Sequence, residues 1–376
     1  MPEIGKSLYF HIPFCSKKCP YCHFYVLPDK APLKALLLEG LHREWQVQLP
    51  KLANEEILSV YFGGGTPFLF GPQALSTLLN WVEKLYPTLY KENKVEITLE
   101  ANPEHITYEK MKAYADIGIN RVSIGVQSLE ESSLTLLARG HTGTQAIDAI
   151  ENSAKAGISN ISIDLMYDLP HQTLSSWQAT LTKLKDLPIT HLSLYNLTFE
   201  PHTLFFKNRK KLLPHVPESE ISLHMLQMAL STLEELGLKR YEISAFAKPG
   251  FKAIHNSGYW TGRSFLGYGP SAFSYWEGKR FRNIANLTQY SAQLKEGVSP
   301  IDFEETLPFP ANRNELLAIG LRLLEGVYLP DLHLSPATYE TLSQLEKKGW
   351  LLLKKDWALL SEEGLLFYDS VAEELI

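Results

Sequence analysis

Cysteine is almost missing from this chain: there are three in 376 residues, Cys15, Cys19 and Cys22, all within eight positions. An odd number in so tight a group cannot form a disulfide framework. Reduced thiols gathered in one place point to a cytosolic compartment and to metal. Charge of one sign is also scarce. Lys and Arg total 36 against 42 Asp and Glu, a net charge of −6, and no block of five or six basic residues occurs. A broad grip on nucleic acid needs clustered positive charge, so nucleic acid is not an expected partner.

Targeting and membrane signals are equally thin. The opening MPEIGKSLYF has no basic flank, apolar stretch and small-residue cleavage site in succession, so no secretory signal is read. Ile57 to Val82 is uncharged for 26 residues, long enough to raise a membrane span. Gly63-Gly64-Gly65-Thr66-Pro67 and Gly71-Pro72 break it, and irregular backbone is not viable against lipid. Internal repeats and low-complexity tracts are lacking too. What remains, 45% hydrophobic and 21% charged, is ordinary globular composition. The length suits two or three domains, or one large α/β domain with an appendage.

Short β-branched and aromatic runs recur at Leu8–Ile12, Leu58–Phe62, Val95–Leu99, Arg121–Val126, Ile161–Leu165 and His191–Leu197. Between them lie amphipathic segments near 32–49, 72–86, 107–117, 130–138, 144–156 and 174–186. Such alternation reads as βαβ units and a parallel sheet, with several strands apolar on both faces. A doubly wound sheet and a (β/α) barrel both fit. A full eight-stranded barrel takes about 250 residues, so six units in less length predict an incomplete one. Beyond Leu197 the pattern predicts a helix near 218–236 and a strand over Tyr241–Ala247. Residues 248–284 are rich in Gly and aromatics, without periodicity. After Pro308 and Pro310, helical patterns at 312–326, 336–348 and 361–375 surround a hairpin of Leu351–Lys354 and Trp357–Leu360.

Cys15-x3-Cys19-x2-Cys22 can hold one metal or one cluster face. Structural zinc takes four protein ligands. An iron–sulfur cube has four irons, so three thiolates would leave one iron open. A Cys3His zinc site using His11 or His23, or unrelated buried thiols, are the plainer readings. In (β/α) folds, ligands bind at the C-terminal strand ends. The first strand runs into the cysteine loop, the second ends at the glycine run, the third at Glu100 and the fourth at Gln127. Asp164 and Asn196 lie late in the fifth and sixth. Three glycines let backbone approach a ligand, or simply form a tight turn. Glu100 and Asp164 suit ribose hydroxyls or an ammonium as acceptors, or else cap a helix or face water. Gln127 can donate and accept. The Arg139 fork can clasp a carboxylate, or sit solvated at a helix end.

Tyr9-Phe-His-Ile-Pro-Phe-Cys15-Ser-Lys-Lys-Cys19-Pro-Tyr-Cys22 resembles the cluster loop of radical S-adenosylmethionine (SAM) enzymes. It is especially similar to the branch that contains coproporphyrinogen III dehydrogenases and heme chaperones. The resemblance implies a (β/α)6 partial barrel, TIM-like, with a small C-terminal helical, winged-helix-like domain. The implied divisions are 1–240 for the barrel, 241–307 for a connecting region and 308–376 for the C-terminal domain. It implies that Cys15, Cys19 and Cys22 bind a [4Fe–4S] cluster. The amino and carboxylate groups of SAM would chelate the unique iron, and one electron would cleave the sulfonium to a 5′-deoxyadenosyl radical. Tyr9, Tyr21, Gly64, Gly65, Thr66, Glu100, Gln127, Arg139 and Asp164 match positions that contact SAM in this branch. Asp168 and His171 stand where glycine is usual in the fifth-strand signature, and His23 where Asp is usual after the third cysteine.

Two features separate the branch's activities. The dehydrogenases carry a further cysteine two residues after the third, where this chain has Phe24. His255-Asn256-Ser257-Gly258-Tyr259-Trp260 matches the HNxxYW pattern of the heme chaperones. The resemblance therefore implies haem contact at His255, Asn256, Tyr259 and Trp260. The plainer reading of that motif is a His and two aromatics in a core with Asn at a turn. The chaperone reading carries haem, haem-acceptor proteins such as respiratory enzymes and an electron donor for the cluster as partners. Two alternatives are an oxygen-independent coproporphyrinogen III dehydrogenase, disfavoured by Phe24, and a zinc-stabilised binding protein without catalysis.

Overall fold

The computed structural model describes residues 5–87 and 95–376. Six strands follow the chain in the predicted order: β1 Lys6–Ile12, β2 Ile57–Gly64, β3 Glu96–Ala101, β4 Arg121–Gln127, β5 Asn160–Tyr167 and β6 His191–Asn196. Each pairs in parallel with its sequence neighbours. Helices fill the crossovers: Ala31–Leu52, Pro72–Leu85, Tyr108–Asp116, Glu131–Leu136, Gly143–Lys155 and Leu174–Lys183. Local chemistry sets their starts. Thr142 and Gln145 form a reciprocal capping box at one, and Thr107 caps another, each satisfying amides that a helix leaves free.

The strands do not carry two apolar faces, as the sequence suggested; they alternate. Leu8, Phe10, Val60, Phe62, Ile97, Leu99, Val122, Ile124, Ile161, Ile163 and Leu192 lie in the main hydrophobic core. The intervening positions are polar and meet one another inside the partial barrel. Ser59 bonds Ser7, Tyr61 bonds Glu100, Glu96 faces Arg121 and Ser162 bonds His191. Two-residue periodicity sends these groups to one face. Their mutual bonds offset the cost of taking them from water.

Four further strands extend the sheet past β1, and two extend it past β6. The two are β7 Lys239–Glu242 and β8 Ala245–Ala247, a hairpin where the sequence predicted one strand. The four are β9 Phe265–Tyr268, β10 Phe273–Trp276, β11 Lys279–Asn283 and β12 Ile301–Thr306. The twelve run in the open order β12-β11-β10-β9-β1-β2-β3-β4-β5-β6-β8-β7. The strands of 241–307 thus continue the sheet of the first 240 residues. The stretch 248–284 that lacked periodicity holds a helix, Ile254–Trp260, and three strands; elements of four to seven residues are too short to show a period.

Residues 311–375 gather around a second hydrophobic cluster that includes Leu317, Leu342, Leu345, Leu351 and Val371. Helices Ala311–Gly320, Pro336–Lys347, Glu362–Leu366 and Tyr368–Leu375 pack with a three-stranded sheet of Val327–Tyr328, Trp357–Leu360 and Leu351–Lys354. Among the described residues no helix is long and apolar enough to cross a membrane.

Candidate metal and cofactor site

β1 delivers the chain to the cysteine loop, and the glycine run holds that loop in place. Gly65 N–H donates to the Ile12 carbonyl at 3.0 Å and Thr66 N–H to that of Phe14 at 2.7 Å. A Cβ on Gly65 would lie 2.7 Å from the Pro13 carbonyl carbon, and one on Gly64 would lie 2.6 Å from the His11 ring. Gly64 also adopts φ 114°, a conformation side-chain-bearing residues rarely take. Close approach is therefore needed here, between the run and the cysteine loop.

The loop opens onto a cavity of about 190 Å³ at the C-terminal ends of the strands. Cys15, Cys19, Cys22, Tyr21, Gly64, Gly65, Thr66, Glu100, Gln127, Arg139 and Asp164 all line it. Arg139 Nη1 donates to Cys19 Sγ at 3.4 Å, and Thr66 Oγ1 to Cys15 Sγ at 3.7 Å. Arg139 Nη2 also reaches Asn102 Oδ1 at 2.7 Å and the Gly125 carbonyl at 2.6 Å. The fork is thus fixed within a protein wall, not solvated at a helix end.

Burial pushes the Cys15 thiol up to about 11, against the Thr66 hydroxyl and the Arg139 charge that favour thiolate. Burial pushes Cys22 up as well. Glu100 is raised to about 7 by burial, although Tyr61 O–H donates to it at 2.7 Å and Gly64 N–H at 3.1 Å. Burial raises Asp164 to about 6, opposed by bonds from Ser193 and Ser123. Two carboxylates held near neutrality in one cavity would each gain from a cationic or hydroxyl-bearing ligand. Gln127 sits at φ 66° where the register of β4 slips, which turns the strand end over the cavity.

Tyr9 does not line the cavity but stands behind its glycine wall, where a Cβ on Gly63 would lie 2.9 Å from its ring. Its hydroxyl bonds His11 Nδ1 at 3.0 Å, and its ring stands 6.1 Å from Tyr61 and 6.3 Å from His255. The motif 255–260 also lies outside the cavity, on a helix packed against the N-terminal half of the strands. His255 and Tyr259, one turn apart, share a face, and Tyr259 O–H meets His255 Nε2 at 2.8 Å. The other nitrogen, Nδ1, meets Ser59 Oγ at 2.9 Å, and Ser59 gives its own proton to Ser7. Nδ1 then carries the hydrogen and Nε2 accepts. His255 is only 1% exposed, and burial lowers its pKa to about 3, so it is neutral. Asn256 is half-buried. The Trp260 ring stacks under the Arg322 guanidinium at 4.3 Å.

Asp168 and His171 adopt φ 60° and 66°. Their backbone keeps the left-handed form that glycine takes freely, which explains the usual residue there.

The model of the radical SAM superfamily matches residues 9–184. The heme chaperone HemW of Lactococcus lactis subsp. lactis is 35% identical to this chain over 330 residues, 87% of this chain and 84% of that protein. The heme chaperone HemW of Haemophilus influenzae is 34% identical over 392 residues, covering 99% and 98%. The chain belongs to the HemW family of radical SAM proteins. Its fold is that of the Escherichia coli coproporphyrinogen III oxidase HemN, described as a radical SAM enzyme, with a TM-score of 0.83 at 22% identity over 100% of this chain and 91% of that one.

Sequence reasoning missed Asn102, which bonds both Arg139 and Thr66, the latter at 3.1 Å. The signal was available: Asn102 is two residues beyond Glu100, hence on the same side of an extended strand. Gly125 was missed too. A Cβ there would lie 3.4 Å from Arg139 Nη2 and 3.2 Å from Asn102 Oδ1, so the lack of a side chain leaves room for the fork.

Proposed function

We propose that the chain is a radical SAM heme chaperone that binds a [4Fe–4S] cluster, SAM and haem and passes haem to acceptor proteins. The carrying observation is the single cavity that brings three thiols together with the Arg139 fork and the Glu100 and Asp164 carboxylates. The donor set fits a cube. The cavity is lined by three thiols and by neither His11 nor His23, and both His11 nitrogens are already bonded, to Tyr9 and to the Tyr25 carbonyl; structural zinc takes four protein ligands, whereas a cube takes each thiolate on a different iron. Cys15, Cys19 and Cys22 would hold the cluster, which supplies one-electron reduction of a sulfonium.

The protein's own contribution is positioning. Arg139 and Thr66 point polar hydrogens at two of the sulfurs. Glu100 and Asp164 offer acceptors to the ammonium and hydroxyls of SAM, and Gln127 and the backbone of Gly64 and Gly65 border the same space. Tyr21, with burial driving its phenol far from ionisation, closes one side and excludes water. Haem enters through the relatives' printed name and the 255–260 motif. Ligation by His255 would have to free Nε2 from Tyr259. The reading also takes the cytoplasm as the compartment and a reductant for the cluster as a partner.

Phe24, 54% exposed at the position of the dehydrogenases' further cysteine, supports the chaperone over coproporphyrinogen dehydrogenation. The test is anaerobic: reconstituted chain mixed with hemin should give a shifted Soret band. Incubation with SAM, reductant and coproporphyrinogen should give no protoporphyrinogen. A silent hemin titration with product formation would reverse the assignment.

A further inference from the structure

Two cavities flank the Ile254–Trp260 helix. The one at its C-terminal end, with Trp260 and Trp357, measures about 270 Å³. The one beside its first residue measures about 680 Å³. Small-molecule pockets usually span roughly 300–1,000 Å³, so the second has the room a large ligand needs. Its wall is mainly apolar, from Pro249, Ile254 and Leu324; Tyr241 is buried beneath Lys252, whose Nζ lies 5.6 Å over its ring, and Lys239, Arg240 and Lys248 also line the hollow. Lys252 is 3.7 Å from Glu325 in an exposed pair. For Lys239 and Lys248 no ion pair occurs among the described residues. Two free cations over an apolar hollow suit a flat apolar body with two carboxylates.

We propose that haem docks in this hollow, its macrocycle against Pro249, Ile254 and Leu324 and its two propionates on Lys239 and Lys248. The proposal rests on the haem-handling reading above and adds to it the site and the recognition chemistry. Iron ligation by His255 is not required for docking, because the imidazole is buried between Ser59 and Tyr259 and does not line the hollow. Ile254, 37% exposed, is the residue of that helix that meets the ligand. The attraction is between charges near solvent, so it weakens with ionic strength.

The test uses the full chain, reconstituted anaerobically, with hemin followed by Soret absorbance. K239E/K248E should weaken hemin binding by about tenfold or more, as two attractions become repulsions. Trp260→Ala should change it by less than about twofold. Hemin dimethyl ester, whose propionates are masked, should bind the wild type and K239E/K248E alike. Circular dichroism and iron content of K239E/K248E should match the wild type, because both lysines lie outside the cores and the cluster cavity. Unchanged hemin affinity in K239E/K248E, or a Trp260→Ala loss as large as that of the charge reversal, overturns the site and leaves the chaperone reading standing. A wild type that binds no hemin overturns that reading itself.

Discussion

Thr66 holds one end of a short chain of polar contacts that runs from Cys15 through Asn102 to Arg139 and back to Cys19. Hydrogen bonds to cluster sulfurs stabilise the more negative, reduced state and raise its potential. Thr66→Val keeps the shape and removes the donor. The reduction potential of the reconstituted cluster should therefore become more negative; an unchanged midpoint in an EPR-monitored redox titration would contradict this. His255 makes a different point about single residues. Its bond to Ser59 joins the motif helix to β2 and its bond to Tyr259 lies within that helix, and His255→Ala leaves Ser59 and Tyr259 short of a partner in a buried place. The cost of such losses is about 1–3 kcal/mol. The midpoint of urea unfolding should drop measurably, and a hemin titration of that variant must be read beside it. An unchanged midpoint would show that these bonds contribute nothing.

Elements impose a second kind of constraint, because the glycine run and the cysteine loop share one volume. Gly65→Ala puts a methyl group against the backbone of Pro13 and Phe14, where no flexible side chain can give way. The loop must move, so the variant should reconstitute with markedly less iron while its far-ultraviolet circular dichroism stays close to the wild type. Full iron loading would remove the positional role given to the run. The same elements show what could be read beforehand. The six parallel strands and their helices were legible because short β-branched and aromatic runs alternate in regular order with amphipathic segments, a pattern that survives even where single elements are short. The rim residues were legible because strand ends in such folds face one side. Polar lumen positions such as Ser7, Ser59 and Thr98 were not, since a lone serine between apolar residues reads as neither face. The helix at 254–260 and the strands at 265–283 escaped for lack of length. The buried place of His255 was the plainer reading of its motif, but the bond that holds it escaped, because its partner Ser59 lies nearly two hundred residues away and leaves no local trace.

The molecule as a whole titrates against itself. Burial raises Glu44 and Glu100 to about 7 and Asp164 to about 6. The folded chain then binds more protons than the unfolded one between their ordinary and raised values, and stability falls as pH rises through that window. Burial lowers His11 to about 4 and His255 to about 3 from 6.5. Those two, with His191, work the other way, and because an unfolded histidine is still half protonated at about 6.5 their contribution is complete only about one pH unit above that. A comparison isolates the acid: the urea midpoint of the cofactor-free wild type should fall relative to that of Glu100→Gln as pH rises from about 5 to about 8. A wild type that gains on Glu100→Gln over that range would contradict the burial of this acid. Cluster and SAM binding alike depend on the cavity beside the three cysteines. Their most direct test is iron, sulfide and zinc analysis of anaerobically reconstituted protein, followed by EPR of the reduced chain with and without SAM. About four irons and four sulfides per chain, with a spectrum that changes when SAM is added, is the predicted result. One zinc without sulfide, or a cluster whose spectrum ignores SAM, would contradict it.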